Sequence, residues 1–314
     1  MTYDTIVIGA GVAGLTAALR LADEGKRVLV MATGVGSTHL APATIDVLGF
    51  DPGPVARPAE ALPAFTSANP EHPYARLRPG LIAASVEWFK ERLPAIGYQG
   101  GLEENFLLPT AVGAVKPSAL VPETMAAGDL RTGGQYAFVG LGLKDFYPAY
   151  LAANLAQAQP DGHAVSARSI EVSLPLAGRP DGSSAGLARM LEEPSVRDAL
   201  VRELSRKLER DERVGFPAVL GLARAGEVWR ELETRLARPV FEVATLPPSV
   251  SGIRLYNAMS SALREAGGAV VFATQNLDEI ERQAANVAAL RDGRLVFTGP
   301  VEEYDRTQSD TLFA

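Results

Sequence analysis

The 314-residue chain has no cysteine. That absence excludes disulfides, thiolate zinc sites and any protein-held iron–sulfur cluster, so an iron–sulfur relay would sit on another polypeptide. Only three histidines are present, which leaves few groups that titrate near neutrality. No apolar run approaches the roughly 18 residues that a membrane-crossing helix needs. An apolar strand begins at Thr5, too early for a charged region and a signal-peptide core. The expectation is a cytoplasmic protein with no direct membrane span, one that touches a membrane only through a partner subunit. The formal net charge of −7 argues against nucleic acid as a partner, because a phosphate backbone would be repelled on average. A local basic pocket for a small phosphorylated substrate stays compatible with it.

An apolar content of 47% over this length is enough for a large core and two domains. The most informative segment is Thr5-Ile6-Val7-Ile8-Gly9-Ala10-Gly11-Val12-Ala13-Gly14, running into Leu15-Thr16-Ala17-Ala18-Leu19. A strand feeding Gly-x-Gly-x-x-Gly and an Ala/Leu-rich helix aims backbone N–H groups and the helix dipole at a diphosphate. Gly9 serves the tight turn, Gly11 the close approach of the phosphate, and Gly14 the packing of helix on strand. The helix ends near Asp23-Glu24-Gly25, with Gly25 as its C-terminal cap, and Arg27 to Met31 reads as a second parallel strand. The chain is expected to bind a dinucleotide or flavin.

The carboxylate that such sites place about 20 residues beyond the glycines is missing. Met31-Ala32-Thr33-Gly34 stands there instead, with Thr33 as a weaker hydrogen-bonding substitute. This weakens the case for NAD or ordinary FAD and leaves room for FMN or an atypical FAD pose.

Further along, residues 51 to 80 are dense in proline and glycine and read as loop and turn. A helix follows over Ile82 to Leu93. A second α/β block begins with a strand at Tyr136 to Gly140 and a helix from about Phe146 to Ala158. Residues 178 to 186 read as a flexible loop, and residues 195 to 213 as a helix with a solvated, charged face. A strand at Phe216 to Gly221 and a helix at Gly226 to Ala237 continue the alternation that implies a mostly parallel sheet. A helix through Arg264, stopped by Gly267-Gly268, leads to a strand from Ala269 that returns to the first sheet.

Several blocks resemble those of the B subunit of anaerobic glycerol-3-phosphate dehydrogenase. They are Asp4 to Leu19, Gly34 to Leu48 with His39 and Asp46, His72-Pro73-Tyr74, Leu108 to Ala114, and Thr245 to Leu255. The resemblance implies an α/β protein with a Rossmann-like FAD/NAD(P)-binding domain of the glutathione-reductase type and an inserted α/β domain. The expected divisions are 1–60 for the first part of the flavin domain, 61–245 for the insertion and 246–314 for the return. It also implies a flavoprotein that carries FMN, with FAD as the alternative. The implied partners are a homologous flavoprotein, the A subunit, together with an iron–sulfur, membrane-attached C subunit, which places the chain at the inner membrane through a partner. Together they oxidise sn-glycerol 3-phosphate to dihydroxyacetone phosphate and pass electrons to quinone.

Two departures accompany the resemblance. Ala41-Pro42-Ala43-Thr44 stands where the family carries serine and glycine, and family members continue past residue 314, so a shortened flavin domain is expected. The tail, Val270 to Glu281 followed by Val287 to Pro300, looks like the end of an ABC-transporter ATPase, with Gln275 in the switch histidine's place and an Asp292-Gly293 hairpin. ATP hydrolysis is rejected, because the chain has no Gly-x-x-x-x-Gly-Lys-Ser/Thr. The hairpin would add strands to the flavin sheet.

Oxidising a secondary alcohol onto a flavin needs a hydride path, a base for the hydroxyl proton and cations for the phosphate. His39 is the candidate for base or flavin contact, with a structural bond to a loop carbonyl as the alternative. His72 and His163 read as turn residues. Arg254 and Lys116 are the phosphate candidates, with surface solvation the alternative for each. Gly9, Gly11, Ala13, Gly14, Thr33, Gly34 and Thr44 are the candidate cofactor contacts. The competing functions are a non-catalytic subunit that serves assembly or electron transfer, and a different flavin oxidoreductase.

Overall fold

The computed structural model describes residues 2–158, 162–174, 183–273, 284–291 and 294–304. The chain begins with β1 (Thr5–Ile8), α1 (Val12–Asp23) and β2 (Val28–Ala32), then α2 (Pro58–Ala68) and α3 (Leu81–Arg92). Four short strands follow, β3 (Gln99–Gly100), β4 (Phe106–Pro109), β5 (Val115–Ser118) and β6 (Leu120–Val121), and then α4 (Glu123–Ala126). The second α/β block comprises β7 (Gly134–Gly140), α5 (Pro148–Ala158), β8 (Val165–Glu171), α6 (Ser184–Met190), α7 (Pro194–Leu204), β9 (Glu212–Pro217), α8 (Ala225–Leu236) and β10 (Val240–Val243). The chain then forms α9 (Val250–Glu265), β11 (Ala269–Phe272), β12 (Asn286–Arg291) and β13 (Arg294–Pro300).

These elements form two compact units. The first comprises Met1–Gly36 with Leu263–Ala314, and the second comprises Ser37–Ala262. In the first, β1, β2 and β11 make a parallel sheet in the order β1-β2-β11, with Val7 opposite Val30 and Val270 also opposite Val30. Helix α1 buries Leu15, Ala18, Leu19 and Ala22, the i, i+3, i+4, i+7 stripe of an amphipathic helix. Gly25 ends it at φ 79°, where its N–H reaches the Ala22 carbonyl. The Asp4 carboxylate takes two guanidinium bonds and a backbone bond from Arg27, pinning the starts of β1 and β2 together. Strands β12 and β13 pair antiparallel as a two-stranded sheet of their own and so, among the described residues, do not extend β1-β2-β11 as was expected; Asp292, Gly293, Gln275 and residues 178–182 lie outside the described residues.

The second unit is built on the parallel sheet β10-β9-β7-β8. Tyr136, Phe138 and Phe241 pack their rings in its core, Phe138 edge-on to Phe241 at 5.8 Å. Leu200, Leu204, Val228 and Leu232 from α7 and α8 join a second cluster with Val214 and Phe216. Residues 58–68 correct one expectation: the proline-dense stretch holds α2, because Pro58 sits at the helix start, where its missing N–H costs nothing. Arg197 corrects another. It is 3% exposed, bonded to Glu231 at 2.8 Å and to the Leu191 carbonyl at 2.9 Å, where a solvated face was expected.

Candidate functional site

In the first unit the glycine loop has the shape a diphosphate needs. Gly9 sits at φ 109°, a conformation unfavourable to any side chain, and its N–H bonds the Met31 carbonyl at 2.8 Å. A Cβ on Gly14 would lie 1.9 Å from the Gly9 carbonyl oxygen, so only glycine lets α1 start this close to the turn. A Cβ on Gly9 or Gly11 would meet nothing within 4 Å, which leaves open space in front of the loop. Gly11 opens α1 with no side chain to cap it, so the first-turn N–H groups keep no side-chain acceptor of their own. The loop therefore fits a phosphate group, with Ala13 exposed on its first turn. Thr33 is exposed and Gly34 half-buried after β2.

In the second unit, two sequence blocks more than 200 residues apart meet. His39 lies in a short 3₁₀ turn, and its carbonyl accepts the Ser249 N–H at 2.8 Å. Its ring stands edge-on to buried Tyr256 at 5.2 Å. A Cβ on Gly252 would lie 2.2 Å from the Thr38 carbonyl oxygen, so the first turn of α9 rests directly on this 3₁₀ turn. Ser249 caps the helix, its hydroxyl accepting the Gly252 N–H at 3.2 Å.

The next stretch is held from three directions. Tyr98 donates its hydroxyl to the Ala43 carbonyl at 2.7 Å, and burial pushes that phenol well above its ordinary pKa. Ala43 itself stands at φ 65°, an uncommon conformation for a side-chain-bearing residue. Ile45 bridges Leu120 antiparallel. Thr44 and Asp46 share a face at strand spacing, and Lys116 and Ser118 share another. Lys116 Nζ joins them, donating to Thr44 Oγ1 at 2.6 Å, to Asp46 Oδ1 at 2.9 Å and to Ser118 Oγ at 3.3 Å. The Thr44 hydroxyl, having accepted from the ammonium, donates to Asp46 at a long 3.4 Å.

Arg254 stands differently from its expected role. Its guanidinium takes Glu242 bidentately, NH1 at 2.6 Å and NH2 at 3.0 Å, and also donates to the Gly221 carbonyl. Glu242 is buried and Arg254 partly so, and the Leu220 N–H bonds the same carboxylate at 2.7 Å. The pair fastens α9 to β10 and to the loop after β9. His72 caps a short turn through Nδ1, accepting the Tyr74 N–H at 3.2 Å, and His163 is exposed. Sequence reasoning missed Tyr98, Ser118, Glu242 and Tyr256. The alternations Thr44-x-Asp46 and Lys116-x-Ser118 carried the signal for one of them.

A cavity of about 460 Å³ opens beside α3, lined by Glu87, Glu103, Glu104, Phe106 and Arg131. Arg131 lies over the Phe106 ring and is bonded to Asp129 and Glu104, so the lining is net acidic and repels an anionic substrate. Among the described residues no group of His, Asp and Glu could hold a metal ion, and no helix is long and apolar enough to cross a membrane.

A family model described as an FAD binding domain matches residues 4–281. The chain is also 34% identical to the B subunit of anaerobic glycerol-3-phosphate dehydrogenase from Pectobacterium carotovorum, across 98% of this chain and 78% of that protein. The chain belongs to the FAD-binding family of anaerobic glycerol-3-phosphate dehydrogenase B subunits. The B subunits of Pectobacterium atrosepticum and Yersinia pestis are 33% and 31% identical, the latter across 86% of this chain and 66% of its own length. Among solved structures, 3-ketosteroid delta1-dehydrogenase from Sterolibacterium denitrificans aligns with 95% of this chain and 46% of its own at 16% identity, with a TM-score of 0.34. As a member of this family, the B-subunit homologue is an α/β protein with a Rossmann-like FAD-binding fold and a flavin-dependent dehydrogenase. The expectation of FMN finds no support in the match, which is to an FAD binding domain.

Proposed function

We propose that this B-subunit homologue is the flavoprotein subunit of a quinone-linked enzyme that oxidises sn-glycerol 3-phosphate to dihydroxyacetone phosphate. The observation that carries the reading is the glycine loop: Gly14 pressed on the Gly9 carbonyl and open space before Gly9 and Gly11, in a chain matched to an FAD binding domain. Gly9, Gly11, Ala13 and Gly14 would hold the diphosphate of FAD, with Thr33 and Gly34 as the candidate ribose contacts in place of a carboxylate. The bound flavin supplies the hydride acceptor. Thr44 would contact the cofactor by turning its hydroxyl from Asp46, its acceptor in this structure, to a bound oxygen, with Lys116 still occupying a Thr44 lone pair. His39 is the base or flavin contact, its ring oriented by Tyr256. Arg254, bound to Glu242, braces α9 and does not read the substrate phosphate.

The chain has no cysteine, so any iron–sulfur cluster that takes up the electrons would be held by residues outside it. The partners are the homologous flavoprotein A subunit, together with an iron–sulfur, membrane-attached C subunit, with this chain on the cytoplasmic side of the inner membrane. The test is purification of the chain and of the assembled complex, read by flavin absorbance and by bleaching with glycerol 3-phosphate. Yellow protein whose flavin is reduced by that alcohol supports the reading. Colourless protein that still binds the A subunit makes it an assembly factor, and flavin reduced only by another donor makes it a different oxidoreductase.

A further inference from the structure

The His72-Pro73-Tyr74 block carries part of the family resemblance and has no part in the proposed reaction. Its geometry is built around one lone pair. His72 precedes the 3₁₀ turn Pro73–Arg76, and its Nδ1 accepts the Tyr74 N–H at 3.2 Å. A backbone N–H can only donate, so Nδ1 carries no proton and the ring is neutral in this arrangement. A bond from a side chain to the N–H two residues on is the one Asn and Asp ordinarily supply through an oxygen. An Asn oxygen accepts at every pH near neutrality, whereas imidazole changes charge there and loses its acceptor when it does.

The residue held by this cap is Tyr74. Its ring stands edge-on to His72 at 4.7 Å, and its hydroxyl donates to the Val47 carbonyl at 3.2 Å. Partial burial pushes that phenol above its ordinary pKa, so it stays a donor. Residues 43 to 48 are thereby tied one after another: Ala43 to Tyr98, Thr44 and Asp46 to Lys116, Ile45 to Leu120, Val47 to Tyr74, and Leu48 to Asn105 at 2.9 Å. Of these ties, only the one at Val47 leans on a histidine. Charges on the elements packed against the turn have partners of their own. Glu71 pairs with Arg76 at 2.8 Å on the turn itself. Helix α2, whose Phe65 meets the His72 ring edge-on at 4.9 Å, carries Glu60 as its one charged residue, and Glu60 is bonded to Arg57. Residues 43 to 48 carry only Asp46, which is bonded to Lys116. No carboxylate of these described elements is left over to hold an imidazolium.

We propose that the His72-Pro73-Tyr74 turn is a proton-operated strap: neutral His72 seats Tyr74 on Val47, and protonation of His72 unseats it and loosens residues 43 to 48. An imidazolium sets a second donor against the Tyr74 N–H, so the cap fails and the phenol loses the backbone that aims it. His72 and Tyr74 are positioning residues and touch no reacting group. The effect on cofactor affinity rests on the reading of Thr44 as a cofactor contact, and the strap itself does not.

The test is hydrogen exchange of the full chain, read by mass spectrometry on peptides covering residues 43 to 48, for wild type and His72→Asn at pH 8 and pH 5.5. Comparing the two proteins at one pH cancels the intrinsic effect of pH on exchange. At pH 8 they are equally protected. At pH 5.5 wild type exchanges about fivefold faster, the effect of losing one cap, and melts about 2 °C below His72→Asn. Tyr74→Phe removes the bond to Val47 and keeps the ring, so it exchanges fast at both pH values. A gap between Tyr74→Phe and wild type that is open at pH 8 and closed at pH 5.5 supports the strap even if His72→Asn folds poorly, and a gap equally wide at both overturns it. Equal protection of wild type and His72→Asn at pH 5.5 overturns the proposal. So does a difference of one size at both pH values, which makes His72 an ordinary cap. Titration with FAD at the two pH values tests the underlying reading separately: exchange that quickens at pH 5.5 while FAD affinity matches that of His72→Asn supports the strap and overturns the placement of Thr44 at the cofactor.

Discussion

Gly11 and Gly14 lie three residues apart, and the structure predicts opposite outcomes for the same substitution. In Gly14→Ala the new methyl would stand 1.9 Å from the Gly9 carbonyl oxygen and 3.0 Å from its carbon, both backbone atoms that a rotamer change cannot clear. Overpacking of this kind costs about 1–3 kcal/mol, and an obstacle made of backbone puts the cost at the upper end. At roughly 2 °C per kcal/mol for a large chain, the apoprotein melts about 6 °C lower. In Gly11→Ala the methyl meets nothing within 4 Å, and φ of −76° suits any residue. The apoprotein keeps its melting temperature or gains slightly, because the unfolded chain loses freedom. The methyl does stand where a diphosphate approaches. Loss of one charge-assisted N–H bond, about 1.5–3 kcal/mol, weakens FAD binding roughly 10- to 100-fold. Titration of apoprotein with FAD, followed by flavin fluorescence, together with a melt of the same apoprotein, separates the two effects. Wild-type affinity in Gly11→Ala, or a wild-type melt in Gly14→Ala, refutes the reasoning.

Arg254→Met leaves the Glu242 carboxylate buried and unpaired, so urea denaturation should show a loss of about 3–5 kcal/mol, whereas a solvent-facing substrate arginine would lose almost nothing. Asp4 is held down to about 2 by its side-chain bonds with Arg27. A lowered folded value gives stability that is present above the ordinary carboxylate value and lost as pH falls through the folded one. The melting difference between wild type and Asp4→Asn should therefore be flat above about pH 5, fade between about pH 4 and 2, and shrink in high salt, since the pair is exposed. Ala237 ends α8 in the left-handed region at φ 51°, and Ala237→Gly should stabilise by about 1 kcal/mol in the same denaturation assay.

The first βαβ unit was legible because three constraints coincide in it: strand periodicity, glycine spacing and a glycine cap. Strand Thr5–Ile8, helix Val12–Asp23 and strand Val28–Ala32 follow that reading closely. The strand expected at Phe216–Gly221 instead spans Glu212–Pro217. Ala218 to Leu220 are apolar because they pass beneath the Arg254–Glu242 pair and are buried as a loop, which local pattern cannot distinguish from a strand. Helix α2 was hidden by Pro58, which a helix start tolerates, and by Pro63, which lies inside the helix. The expected domain limits at 60 and 245 fall inside the second compact unit, whose contacts cross them. At the site, Lys116 and Thr44 each stand out in the sequence, yet their meeting through Asp46 depends on a pairing between segments some 70 residues apart. Arg254 reads as free in the sequence because its partner Glu242 sits on a strand that carries no motif. The family match extends to residue 281 and so covers the opening of the ATPase-like tail.

The short stretch around Thr44, gripped by Tyr98, Leu120 and Lys116, behaves as a die and not as a lid. Under the proposed reading, a ligand docked at Thr44 would meet a stretch held at three points, and a bulkier one would be excluded there. Breeding a variant for a bulkier guest would then begin at the grips, with Tyr98→Phe releasing Ala43 while Thr44 keeps its place, and random change at Thr44 alone would find little.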